Sequence, residues 1–327
     1  ELEQGNLRAA LAWSFQQDDE DGDVVAAGVR GAGALWRFWL RRGSLREGID
    51  WLERALTRPI DDPSLRAQVL VAVARLHEAS SAHERAAQLI DEALPLSREI
   101  GDQVIEADAL GVLGEIAEDQ GEFSLASTRY LEALELYQSN GLRRESATSL
   151  NKLGMIAFFQ GDFPRATELW EECVAIFREL GDRWATGVLL GNLGHVAMAT
   201  GSFDRAVSLH EENLSIARLL GDKGTIGREM FNLAEAMQMR GDGEQDTLLD
   251  EALDLQRETN DRHSEVATLS LMADNALARG EIRRAAHLFA TALTSCRGDT
   301  DRSIMANVAL LERAAALAAA TGQDTRA

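Results

Sequence analysis

The sequence predicts an all-α protein built from antiparallel helix hairpins stacked side by side into a curved solenoid, on three observations. Glycine-centred breaks recur every 40 residues, apolar residues between the breaks fall at helical spacing, and the composition is dominated by helix formers. One series of breaks runs Gly101-Asp102, Gly141-Leu142, Gly181-Asp182, Gly221-Asp222 and Asn260-Asp261. A second falls midway, at Gly121-Glu122-Phe123, Gly161-Asp162-Phe163, Gly201-Ser202-Phe203, Gly241-Asp242-Gly243 and Gly280-Glu281-Ile282. Glycine ends a helix cheaply because it takes the left-handed C-cap conformation without a Cβ clash, and the Asp or Ser that follows can cap the next helix. Each period is therefore two helices. A single hairpin cannot bury both of its apolar faces, so successive hairpins must stack.

Taken in order, the segment 2–16 reads as a lead-in helix. Helix pairs are expected at 23–41 with 45–57, 64–80 with 82–98, 103–120 with 122–139, 143–160 with 162–179, 183–200 with 202–219, 223–240 with 244–258, and 262–279 with 281–296. The fourth pair shows the pattern most plainly, with Leu150, Leu153, Gly154 and Ala157 on one helix and Ala166, Leu169, Trp170, Cys173 and Phe177 on the other. In the second pair Asp61-Asp62-Pro63 and Ser81-Ala82 occupy the break positions without glycine, so this unit is the most diverged. An alanine-rich stretch at 301–320 reads as a closing helix over the last hairpin. The expected organisation is thus a lead-in at 1–20, seven hairpins at 21–297, and a capping helix with tail at 298–327.

A formal charge of −21 argues against this segment gripping a nucleic-acid backbone, which needs clustered Lys and Arg. No apolar run is long enough for a bilayer, and the two cysteines, Cys173 and Cys296, suggest neither a disulfide framework nor a metal knuckle. A cytoplasmic setting follows as the expectation. The first residues, Glu1-Leu2-Glu3-Gln4-Gly5, include no initiating methionine, so the chain is expected to be excised from a longer polypeptide. Lys152 and Lys223 are the only lysines among many arginines, a hint of a high-GC bacterial source.

The run Leu150-Asn151-Lys152-Leu153-Gly154-Met155-Ile156-Ala157, followed by Gly161-Asp162-Phe163, Ala166, Trp170 and Cys173, resembles the tetratricopeptide repeat, and Leu193-Gly194, Ala197, Phe203, Ala206 and His210 repeat it. The resemblance implies a right-handed superhelical solenoid whose first helices line a concave groove. The 40-residue unit, with second helices running into Arg178-Glu179-Leu180-Gly181-Asp182 and Ala217-Arg218-Leu219-Leu220-Gly221-Asp222, is similar to two families. One is the repeat arm of bacterial maltose-regulator-like STAND signalling ATPases and LuxR-type transcription activators. There, Asn6-Leu7-Arg8-Ala9-Ala10-Leu11-Ala12-Trp13, Leu35-Trp36-Arg37-Phe38-Trp39, Gly43, Glu47-Gly48 and Trp51-Leu52-Glu53-Arg54-Ala55-Leu56 resemble the entry into the repeats after a nucleotide-binding module. The other is the animal scaffold family that orients the mitotic spindle. The tryptophan-rich entry and the scarcity of lysine favour the first, and that resemblance implies a non-catalytic sensor arm that binds a protein, a peptide or a small effector. A stand-alone peptide-binding scaffold is the alternative. No G-x-x-x-x-G-K-[ST] occurs, and Gly28-Val29-Arg30-Gly31-Ala32-Gly33 lies inside a helical pattern rather than after a strand.

On the groove-facing positions implied by the resemblance, the candidate binding residues are Asn151, Lys152, Met155, Phe159, Asn192, His195, Arg228, Asn232, Glu235 and Met239. Asn151, Asn192 and Asn232 recur on successive units, and an amide offers both donors and an acceptor to a peptide backbone or to sugar hydroxyls; each suits helix-to-helix packing equally well. Met155, Phe158, Phe159, Met198 and Met239 could form an apolar pocket, with packing between hairpins the competing use. Glu115, Glu118 and Asp119 could draw a basic partner or a cation, although solvated charge is the commoner fate of such a run. The six histidines, His77, His83, His195, His210, His263 and His287, never pair at ligand spacing, so no metal and no cofactor is expected, and His195 alone is expected to face the groove. Cys173 falls where a small packed residue belongs, which speaks against a nucleophile. Homo-oligomerisation is left open.

Overall fold

The computed structural model describes residues 2–16, 22–242 and 245–295, and among them the chain forms fifteen helices and no strand. They are α1 (Leu2–Ser14), α2 (Gly22–Arg42), α3 (Leu45–Leu56), α4 (Pro63–Ala79), α5 (His83–Ile100), α6 (Gln103–Asp119), α7 (Phe123–Ser139) and α8 (Arg143–Phe159), followed by α9 (Phe163–Glu179), α10 (Arg183–Ala199), α11 (Phe203–Leu220), α12 (Lys223–Arg240), α13 (Asp246–Glu258), α14 (Arg262–Ala278) and α15 (Ile282–Ser295). The closing helix expected at 301–320, and Cys296, lie outside the described residues.

The helices stop where the backbone can turn left-handed. Gly121 takes φ 76° and its N–H donates to the Glu118 carbonyl at 2.9 Å, while the Glu122 N–H donates to the Ala117 carbonyl at 2.8 Å. That pair of bonds satisfies carbonyls which the end of α6 would otherwise leave open. Ser81 (φ 60°) and Asn260 (φ 56°) adopt the same conformation where the sequence supplies no glycine, so the breaks are set by backbone geometry and glycine is only the cheapest way to meet it. The next helix starts on a side-chain cap: Asp62, Asp102, Asp182, Asp222 and Asp261 each accept a hydrogen bond from backbone N–H groups of the turn that follows.

The chain divides into two compact units, one ending at Leu169 and the other starting at Trp170. In the first, α4 packs on α5 and α6 on α7 as antiparallel hairpins, and Leu52, Leu70, Leu76, Ile90 and Leu110 are fully buried between the layers. Close approach depends on missing side chains. A Cβ on Gly48 would lie 2.6 Å from Leu76 Cδ1 and 2.9 Å from Trp39, and one on Gly114 would lie 2.5 Å from the Tyr130 ring. The run Gly28 to Gly33 is inside α2, a helix and no phosphate loop. In the second unit α10 packs on α11, α12 on α13 and α14 on α15, around Leu189, Leu190, Leu249, Met272 and Phe289. Cys173 is fully buried, as a small packed residue would be, and burial pushes its thiol up to about 12. Among the described residues no helix is long and apolar enough to cross a membrane.

Candidate functional site

Each unit holds a groove lined largely by its first-of-pair helices. In the second unit a groove of about 400 Å³ is walled by α10, α12 and α14 and floored by α11. Three glycines at helical spacing on α10 shape it. A Cβ on Gly187 would lie 2.6 Å from Asn213 Oδ1, one on Gly191 would lie 3.2 Å from Asn213 Nδ2, and one on Gly194 would lie 2.5 Å from His210 Nε2. Removing those side chains lets the polar residues of α11 and α12 rise against α10. His210 is fully buried, and its Nδ1 lies 2.9 Å from Glu229 Oε2. The Asn232 amide donates to Glu229 Oε1 at 3.2 Å. Glu229 thereby ties the groove face of α12 to the interior of α11.

Asn213 is 3% exposed, yet it lines the groove, and no described residue donates to its Oδ1 or accepts from its Nδ2. Above it the rim is apolar: Trp184 is 64% exposed, and Val188 and Leu220 are exposed beside it. On the opposite wall Arg228 donates to Thr225 Oγ1 at 3.2 Å, and the Thr225 hydroxyl donates to the Asp222 cap at 2.8 Å. The Thr225 hydroxyl, then its backbone N–H, hold the Asp222 carboxyl below its ordinary pKa. His195 stands at the groove with its ring edge-on to His210, centroids 5.7 Å apart. Burial by the groove walls, then the neighbouring His210, lower the pKa of His195 against the pull of Glu229.

In the first unit a groove of about 360 Å³ is built on charge. Arg75 donates to Asp108 Oδ1 at 3.0 Å, pairs with Glu115 at 3.7 Å and lies over the Trp36 ring at 5.4 Å. Tyr137 donates to Asp108 and Tyr130 to Glu118, each at 2.7 Å, and Lys152 reaches Glu118 at 3.1 Å. Burial works against the charge on Lys152, but Glu115 and Glu118 overrule it and its pKa is raised. At Glu78 burial, with Glu115 and Asp119, outweighs the pull of Lys152 and Arg75 and pushes the carboxyl up to about 7.

Of the candidate residues, the structure brings Asn192, His195, Arg228 and Asn232 together around the second unit's groove. Lys152 lines the groove of the first unit. Asn151 and Met155 are half-buried on the same helix outside that lining, and Phe159 is 67% exposed, its ring edge-on to Phe158. Glu235 and Met239 lie farther along α12, beyond the groove lining, and burial raises the pKa of Glu235. Two readings are corrected. Glu115 and Glu118 are bonded to Arg75, Tyr130 and Lys152 rather than solvated, because α4, α7 and α8 bring those partners to them. His195 is not the one histidine at the groove, since α14 adds His263. Sequence reasoning missed Trp184, Asn213 and Glu229. The signal that could have found Asn213 is the run of glycines at 187, 191 and 194 opposite two polar residues, His210 and Asn213, on the buried face of the next helix.

Comparison with known proteins bears on the repeats. Residues 55–178 match the family model of the soluble NSF attachment protein, SNAP, and residues 189–224 match that of the tetratricopeptide repeat. The chain carries tetratricopeptide-like repeats. No curated protein sequence matches it. Among solved structures it is similar to a signal transduction ATPase with numerous domains (STAND) with a tetratricopeptide repeat sensor, from Pyrococcus horikoshii. The TM-score is 0.67 at 12% identity, covering 83% of this chain and 43% of that one. BtubC (BKLC) from P. vanneervenii matches with TM-score 0.58 at 23% identity, over 68% of this chain and 92% of that one. A Rap protein complexed with Competence and Sporulation Factor matches with TM-score 0.57 at 16% identity, over 83% and 75%. At these identities the likeness is one of fold alone, a scaffold of stacked helical repeats.

Proposed function

We propose that these tetratricopeptide-like repeats are a non-catalytic binding arm that takes an extended peptide segment of a partner in the groove of the second unit. The observation that supports this most is the make-up of that groove: amides from Asn192, Asn213 and Asn232, an apolar rim of Trp184, Val188 and Leu220, and one cation, Arg228. Amides serve the alternating N–H and C=O groups of an extended chain, and the rim gives side chains somewhere to lie. A Rap protein of the same fold is known in complex with Competence and Sporulation Factor, which makes a signalling ligand a natural occupant.

The larger setting we propose is a bacterial regulatory ATPase working in the cytoplasm, with the lead-in at 1–20, hairpins through 297 and a closing helix after them. The tryptophan-rich entry and the likeness to a STAND tetratricopeptide sensor support it. A nucleotide-binding module encoded upstream in the same reading frame is expected; a frame without one sinks this setting but not the groove. For the groove itself, random dodecapeptides displayed on phage are selected on the chain, and a winner is titrated by calorimetry. Replacing Asn192 and Asn232 together by Ala is expected to weaken it roughly tenfold or more, since each amide loses its hydrogen bonds. An affinity unchanged in the double variant refutes the groove reading.

A further inference from the structure

Asn213 occupies a position on α11 where packing residues are the rule: His210 and Ala217, one turn to either side, are buried. The residue is 97% removed from solvent, has no hydrogen-bond partner among the described residues, and lines the groove with its amide set against Gly187 and Gly191 of α10. Any side chain at 187 would strike its oxygen, and one at 191 would crowd its nitrogen. Two helix-weakening glycines kept beside one buried amide suit a site into which a ligand group descends.

Resting on the peptide reading of this groove, we propose that Asn213 forms a subsite for a primary carboxamide, the side chain of an Asn or Gln in the bound segment. A primary carboxamide presents its oxygen and an N–H on one edge, so it returns both of Asn213's hydrogen bonds at once. The ligand backbone has chain on both sides and stays above, level with the half-buried Asn192 and Asn232. A carboxylate gives Oδ1 no donor and meets the buried Glu229, whose Oε1 lies across Gly191 from the Asn213 amide. An ammonium gives Nδ2–H no acceptor. The subsite thus selects for neutral amide termini against both charged kinds.

The test uses the full chain and three fragments, propionamide, N,N-dimethylpropionamide and propionate, titrated while the side-chain NH₂ resonances of Asn213 are followed by NMR. Propionamide is expected to move them saturably and the other two to bind at least about tenfold more weakly. Gly187→Ala, whose methyl would strike the Asn213 oxygen, is expected to abolish the response, and Asn213→Asp, which keeps the shape and removes the donors, is expected to abolish saturable propionamide binding followed on the fragment's own resonances; far-UV circular dichroism shows whether each variant folds. Peptides from the dodecapeptide selection are expected to be enriched in Asn or Gln at one position. If propionamide leaves Asn213 unmoved, or propionate binds as well, the subsite is overturned while selected peptides that need Asn192 and Asn232 leave the groove reading standing. A saturable propionamide shift with no peptide selected overturns the peptide reading alone.

Discussion

Gly111 and Gly114 lie three residues apart on α6, and replacing each by Ala is expected to change stability in opposite directions. Around Gly111 the nearest atom to an added Cβ is Arg75 Nη2 at 3.6 Å, an ordinary contact. Only the backbone effect is left, and Ala in a helix interior is favoured over Gly by about 0.5–1 kcal/mol. Around Gly114 the same methyl would sit 2.5, 2.8 and 3.0 Å from three atoms of the Tyr130 ring. That ring is 2% exposed and anchored by its hydroxyl to Glu118 at 2.7 Å, so it has nowhere to retreat. Overpacking of this kind costs about 1–3 kcal/mol, and prying the hydroxyl from a carboxylate adds a further cost of order 1 kcal/mol. Set against the same helix gain, Gly114→Ala should lose about 1–3 kcal/mol while Gly111→Ala gains up to about 1. Urea unfolding followed by circular dichroism gives the sign, and amide hydrogen exchange in α6 and α7 places the effect in this hairpin, as repeat arrays need not unfold in one step. Two variants shifted in the same direction, by similar amounts, would show that the α6 to α7 contact does not require a missing side chain at 114.

Ser81 holds a left-handed backbone at φ 60° with its N–H on the Glu78 carbonyl at 2.7 Å, so Ser81→Gly should stabilise the first unit by about 1 kcal/mol, read as a higher urea midpoint; a lower midpoint refutes it. Glu78 adds a pH dependence. Its carboxyl ionises near 7 in the folded chain against an ordinary 4.5, so the folded state holds its proton more tightly and stability falls as pH rises between those values. Glu78→Gln should match the parent below about pH 4.5 and exceed it above about pH 7, by on the order of 1–2 kcal/mol once solvent screening of the partly exposed carboxyl is counted, in denaturation curves taken across that range. A difference that does not vary with pH would mean that the charge at 78 is not what the fold resists.

How the chain is punctuated was legible before any coordinates, because ending a helix is a local matter. A residue with φ near +70° and an Asp ready to cap are visible at Gly101-Asp102 and Gly181-Asp182 without knowing what packs where. The exceptions fit the same physics: Ser81 and Asn260 turn left-handed because the Glu78, His77, Arg257 and Gln256 carbonyls still need donors. Stepping around each first helix also reached Asn192, His195, Arg228 and Asn232, since period 3.6 decides which residues share a face.

Depth was not legible. Asn213 and Phe177 both occupy second helices, and no local rule says that one amide faces a gap while the other side chain fills a core; that depends on Gly187 and Gly191 standing opposite, 22 to 26 residues away. Nor could spacing show that Glu118 meets Tyr130 and Lys152, or that His210 meets Glu229, because charge pairing is settled by which helices touch. The sequence by itself determined where helices begin, end and turn their apolar faces. The tertiary structure alone decided which polar groups find partners inside the chain, and that the Asn213 amide, set against Gly187 and Gly191, lines the groove without one.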